Sequence, residues 1–129
     1  MAQSQALAVV QEAYELARRG DHRTLRGLIA DDARWEPARE GAWNPCRDGD
    51  QIVRTLVWRA TANRLRPAEP IELGDRVLIR LRGSRLVRLG ARGLVPRLFQ
   101  IVVVRDGKIV GMRDYARREE ALAAAGLRT

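Results

Sequence analysis

Cysteine is almost missing from this chain of 129 residues: Cys46 is the only one, so no internal disulfide can form. Histidine is equally scarce, with His22 alone, and a single cysteine beside a single histidine excludes a zinc site of the usual composition, so no metal is expected. No apolar run approaches the roughly 18 uncharged residues that would suggest a membrane span. The N-terminal stretch has no basic segment ahead of its apolar residues and carries Glu12 and Glu15, which fits neither a secretory signal nor a transit peptide; a cytoplasmic protein is expected. Also missing are a phosphate-binding glycine loop and a nucleophile elbow, so kinase, dehydrogenase and serine-hydrolase readings lack support and no cofactor is expected. Lysine is represented by Lys108 alone, and acids vanish altogether between Asp75 and Asp106.

What is present is arginine. The net charge is +8, and the acid-free stretch holds Arg76, Arg80, Arg82, Arg85, Arg88, Arg92, Arg97 and Arg105, a charge equal to that of the whole chain. A one-sided basic hairpin is the electrostatic footprint of a polyanion-binding surface. Phe99 is its single aromatic, which leaves little for bases to stack on, so a solvated face is the favoured reading and nucleic acid is not the expected partner.

Hydrophobic spacing organises residues 1–129 as one domain. Ala6, Leu7, Val10, Ala13, Tyr14 and Ala17 lie on one helical face from Gln3 to Arg19, closed by Gly20. Asp21 caps a second helix expected to reach Ala30, and alternation from Ala33 to Pro37 predicts a short strand. Asp48 caps a third helix to about Arg64, with Ile52, Val53, Leu56, Val57 and Ala60 inward. The period then changes to two: strands at Ile71–Leu73, Arg76–Arg82, Leu94–Arg105 and Lys108–Tyr115, with Asp106-Gly107 as a two-residue hairpin turn, precede a last helix from Ala116 to Ala125. Helices followed by antiparallel strands predict an α+β domain.

This order, with Asp31-Asp32 before the first strand, CRDGDQIV opening the third helix and DGKIV with Asp114-Tyr115 closing the last strand, resembles the nuclear transport factor 2-like superfamily. Within it the chain resembles the SnoaL-like polyketide cyclase, ketosteroid isomerase and limonene epoxide hydrolase branches. The resemblance implies a cone in which a strongly bent sheet wraps the first helix and leaves an apolar pocket at its open end, and it implies a homodimer. It also implies a small apolar ligand and cofactor-free acid/base chemistry of isomerase, cyclase or epoxide hydrolase type. The alternative is a non-catalytic binding or dimerisation module that uses the arginine-rich stretch for an anionic partner.

Asp114 is the residue of most interest, because an acid interrupts an apolar strand there. Simple alternation puts Val110, Met112 and Asp114 on one face. Two readings stand side by side: a desolvated general acid or base within the cone, or a cap for the last helix. In the epoxide hydrolase branch an aspartate stands at the place that GMRDY, residues 111–115, matches, but the acids that would join it on neighbouring strands are missing here. Tyr14 falls in the region of the tyrosine that the isomerase pattern uses, which makes Asp114 and Tyr14 the candidate catalytic pair. Trp35, Met112, Val110, Phe99 and Trp58 are the candidate ligand-lining residues. Glu36, His22 and Cys46 are expected to be bystanders, although Arg47 beside Cys46 is in a position to lower its thiol pKa.

Overall fold

The computed structural model describes residues 4–41, 43–62, 64–83 and 98–127. Its first element, α1 (Gln5–Arg18), starts where the Ser4 hydroxyl accepts a bond from the Leu7 N–H and stops where Gly20 takes a positive φ. The Asp21 carboxylate caps α2 (His22–Arg26), which is only one turn long rather than extending to Ala30. The β-branched Ile29 and the acids Asp31 and Asp32 instead belong to β1 (Ile29–Glu36), which begins four residues earlier than alternation alone predicts. Asp48 accepts from the Gln51 N–H at 2.9 Å and opens α3 (Gly49–Ala62). The strands β2 (Arg66–Leu73), β3 (Arg76–Arg82), β4 (Leu98–Arg105) and β5 (Lys108–Tyr115) follow, then α4 (Arg118–Ala124). Pro67 and Pro70 sit within β2, longer than expected because it is an edge strand and an edge tolerates missing N–H donors. The expected strand start at Leu94, and the polar connection before it, lie outside the described residues.

The sheet runs β1-β5-β4-β3-β2, parallel only between β1 and β5. Asp106 and Gly107 both take positive φ, as the tight β4–β5 hairpin requires. On the inner face α1 and α3 pack against the sheet, with Val10, Tyr14, Trp35, Leu56, Val77, Ile79, Val102 and Met112 in one continuous core. On the outer face Leu78, Phe99 and Ile101 form a second, smaller cluster with Ala121 and Leu122 of α4. The architecture is an α+β cone: a sheet that does not close on itself, with α1 lying in its hollow.

One irregularity in β5 decides which residues face inward. Val103 pairs with Gly111 and the next residue, Val104, pairs with Ile109, so Val110 is an extra residue in a bulge. The bulge resets the alternation: Ile109, Met112 and Asp114 are buried together and Val110 is left half-buried outside the core. The expectation that Val110 lines the cone is therefore corrected.

Candidate functional site

Asp114 is 1% exposed, and three donors from three different elements meet it. Trp35 on β1 donates its indole Nε1–H to Oδ1 at 2.8 Å, and Gln100 on β4 donates its Nε2–H to the same oxygen at 3.0 Å. Arg59 on α3 donates from Nη1 to Oδ2 at 2.9 Å, forming an ion pair whose arginine is 3% exposed. A carboxylate offers about four acceptor positions, so one on Oδ2 is left over. Asp114 is neither a bare acid among apolar side chains nor a cap: α4 begins after Arg117 with no side-chain capping bond.

Backbone register brings these groups together. Gln100 and Asp114 are direct cross-strand partners, and Trp35 stands opposite Met112 in the parallel β1–β5 pair. Trp35 also exchanges two backbone hydrogen bonds with Cys46, each 3.0 Å, which folds the loop after β1 back over α3. That loop carries Trp43. The Arg59 guanidinium carbon lies 4.5 Å from the Trp35 ring centre and 4.7 Å from that of Trp43, in the corner made by two indoles inclined at 82°. Desolvated cation–π contacts of this kind contribute about 2 kcal/mol or more. Arg59 Nε is buried and has no hydrogen-bond partner among the described residues.

Tyr14 reaches the cluster through Gln100, donating its hydroxyl proton to Oε1 at 2.8 Å. This fixes the amide: Oε1 faces the phenol, and Nε2 faces the acceptor-only carboxylate. Burial pushes the Tyr14 phenol well above the ordinary tyrosine range, and the negative charge of Asp114 adds to the shift. Tyr14 thus stays a proton donor at any physiological pH.

The remaining candidates separate cleanly. Trp35 and Met112 belong to the inner core, but Phe99 lies on the outer face, because it alternates with the inward Leu98 and Gln100. Trp58 is 52% exposed on the solvent side of α3, so neither Phe99 nor Trp58 lines the cone. Burial pushes the Cys46 thiol up rather than down, the opposite of the effect expected from Arg47. His22 is exposed against the Gly20 carbonyl, and Glu36 stands in register with Arg113 rather than near Asp114. In the arginine-rich stretch, Arg80 and Arg82 pair with Glu69, Arg105 pairs with Asp75, and Arg76 donates to the Ala125 carbonyl. Arg85, Arg88, Arg92 and Arg97 lie outside the described residues. Two residues of the cluster, Arg59 and Gln100, have no counterpart among the sequence candidates.

Residues 10–112 match the SnoaL-like domain. The chain belongs to that family. Solved structures agree on the fold of this SnoaL-like domain. A candidate polyketide cyclase from Sinorhizobium meliloti is 22% identical, with a TM-score of 0.61 over 83% of this chain and 93% of that one. An NTF2-like protein of unknown function from Mesorhizobium loti is 21% identical, with a TM-score of 0.69 over 91% and 97%. Another from Burkholderia pseudomallei is 20% identical, with a TM-score of 0.60 over 94% and 97%. No curated protein matches the sequence. Among the described residues no helix is long and apolar enough to cross a membrane, and no group of three or more His, Cys, Asp or Glu side chains is placed to hold a metal.

Proposed function

We propose that this SnoaL-like domain binds a small, mostly apolar carbonyl compound in its cone and shifts a proton on it without a cofactor. Asp114 is the proton acceptor. The observation that carries the reading is the buried Arg59–Asp114 pair with an unpartnered donor, Arg59 Nε, beside it. Burying two charges costs several kcal/mol each, and such pairs are often no more stabilising than apolar side chains of the same size. A core otherwise built almost wholly of apolar side chains has no need of one for stability. An orphaned buried donor costs a further ~1–3 kcal/mol, which an acceptor oxygen on a ligand would offset.

The chemistry follows from the free positions. The open lone pair on Oδ2 takes a proton from carbon; the C–H electron pair forms a C=C bond and the carbonyl π pair moves onto oxygen, where the developing oxyanion is met by Arg59 Nε; return of the proton to the same carbon exchanges it, and where a C=C conjugated with the enolate is present its return to the γ-carbon completes an isomerisation. Carboxylates are weak bases, so the substrate C–H must be acidic, as it is when flanked by two carbonyl groups. Tyr14 is a positioning residue, because its proton is committed to Gln100 and it acts on Asp114 through that amide. A polyanion-binding role has less behind it, since Arg80, Arg82 and Arg105 already face acids of the chain.

The test uses ethyl benzoylacetate, an aromatic β-dicarbonyl, and follows exchange of its central C–H for deuterium by proton NMR. Catalysed exchange in the wild type that disappears in Asp114→Asn, and also in the charge-matched Arg59→Met/Asp114→Asn double variant, is expected. Exchange at the background rate in the wild type, or unchanged exchange in the folded double variant, would overturn the proposal.

A further inference from the structure

A cleft of about 600 Å³ opens where α1 and α3 end and β2 begins. Its floor is apolar, formed by the buried Ala60 and Leu65, and its rim carries Arg18, Arg64 and Arg66. No acid lines it. The Leu65 N–H donates to the Arg59 carbonyl at 3.1 Å, so the floor of the cleft is tied to the residue that holds Asp114.

Helix C-termini favour cations, and that alone accounts for one rim arginine: Arg18 closes α1 and pairs with Glu15 of the same helix. Arg64 and Arg66 are different. Among the described residues no acid pairs with either. Arg66 stands directly opposite Arg82 in the β2–β3 ladder, a like-charge pairing that destabilises a sheet unless an anion lies between. Arg82 relieves part of this by leaning toward Glu69, 3.7 Å away; Arg66 has no such outlet among the described residues. Arg64 holds a left-handed φ of 52° that turns the chain into β2 at the cleft edge.

An apolar floor with a cationic rim fits a ligand with an apolar body and one anionic end. Resting on the carbonyl-compound reading above, we propose that this cleft serves as the mouth of the cone and selects substrates bearing a carboxylate or phosphate, held by Arg64 and Arg66 while the apolar body lies over Ala60 and Leu65. This names the favoured substrate class: aromatic or alkyl oxo acids, in preference to neutral carbonyl compounds, which the same site takes more weakly.

The probe is naphthalene-2-carboxylate against its uncharged methyl ester, with binding read by tryptophan quenching and by calorimetry. In low salt the carboxylate is expected to bind the wild type about tenfold more tightly than the ester, the sum of two or three partly exposed charge contacts, and the preference should shrink in high salt. Arg64→Gln/Arg66→Gln should abolish the preference and leave the ester's Kd unchanged. Equal affinity for both probes in the wild type, a preference that survives in the double variant, or failure of the carboxylate to bind at all would overturn the inference. Displacement of the carboxylate by an equimolar short single-stranded DNA would also overturn it, in favour of a polyanion surface. Arginine-dependent carboxylate binding with no catalysed exchange of either ethyl benzoylacetate or benzoylpyruvate, an anionic aromatic dioxo acid whose central C–H is flanked by two carbonyls, would sustain the mouth and sink the proton-transfer reading, so the two fail separately.

Discussion

Replacing Asp114 by Asn tests the centre of the site because it keeps the side chain's shape and removes only its charge. The Asn carbonyl can still accept from Trp35 and Gln100, the two donors now on Oδ1, but an amide N–H₂ then faces the Arg59 Nη1 donor. Arg59 is left charged, 3% exposed and without a counter-ion. Breaking a buried pair from one side costs about 3–5 kcal/mol. For a domain of this size each kcal/mol moves Tm by about 4 °C, so a drop of roughly 12–20 °C is expected. A helix-cap role would cost only ~1 kcal/mol. Arg59→Met in the Asp114→Asn background removes the stranded charge while keeping the Trp35 and Gln100 bonds. The double variant should therefore be more stable than Asp114→Asn alone, with a coupling energy of about 2–3 kcal/mol. Urea unfolding followed through tryptophan fluorescence measures the two single variants, Asp114→Asn and Arg59→Met, and the double variant. An Asp114→Asn cost below about 1 kcal/mol, or additive single variants, would refute the reasoning, because the pair would then not be an energetically closed unit.

Two further outcomes follow from the surroundings of that pair. The Tyr14 phenol is raised by burial, so the folded state keeps its proton above the ordinary tyrosine range while the unfolded chain releases it near pH 10; stability from this source is complete below pH 10 and falls by about 1.4 kcal/mol per unit above it. Tyr14→Phe should cost about 1–2 kcal/mol at pH 8 through the abandoned Gln100 carbonyl, and its deficit should narrow as pH passes 10; a deficit that stays constant to pH 11 in urea titrations contradicts the buried donor. At the other end of α3, a Cβ on Gly49 would lie 2.7 Å from the Ala30 carbonyl oxygen and 2.8 Å from the guanidinium carbon of Arg26, whose donors are held by Asp31, Asp50 and the Ile29 carbonyl. Gly49→Ala should lower the urea midpoint by an amount equivalent to about 1–3 kcal/mol despite its gain in helix propensity, and a stabilised variant would show that this junction yields freely.

Local chemistry made the elements legible: Asp21 and Asp48 cap where their side chains allow, Gly20 and Gly126 stop helices with positive φ, and Asp106-Gly107 turns the last hairpin. The bulge at Val110 was not legible, because its cause is the pairing of β5 with β4 and nothing in KIVGM departs from simple alternation. Arg59 left a signal that went unread. It lies three residues after Leu56 and seven after Ile52, squarely on the inward stripe of α3, where an arginine has to find a buried partner. Gln100, within the apolar run LFQIVVV, carried the same kind of signal. Arg59 looked like ordinary surface charge and Gln100 like an accident of the core because their partners sit 14 to 86 residues away.

The charge balance of the cluster explains why the proposed chemistry suits it. Asp114 and Arg59 neutralise one another at rest, and Tyr14 and Gln100 add dipoles without adding charge. When Asp114 takes a proton its negative charge passes to the substrate oxygen, so the enclosed charge does not change and only its position does. Arg59 is suited to follow that shift. Its Nη1 serves the carboxylate, Nε is unoccupied among the described residues, and the two indoles hold the guanidinium in the corner between them while charge moves from one side of it to the other. Lysine could not do the same, because a compact, strongly hydrated ammonium has neither the second directed edge nor the delocalised charge that sits in the corner of the two indoles. Arg59→Lys should therefore retain more of the fold than Arg59→Met in the presence of Asp114, yet lose catalysed exchange of ethyl benzoylacetate. If Lys at 59 sustains the exchange, Arg59 contributes only charge and the directed-donor argument fails.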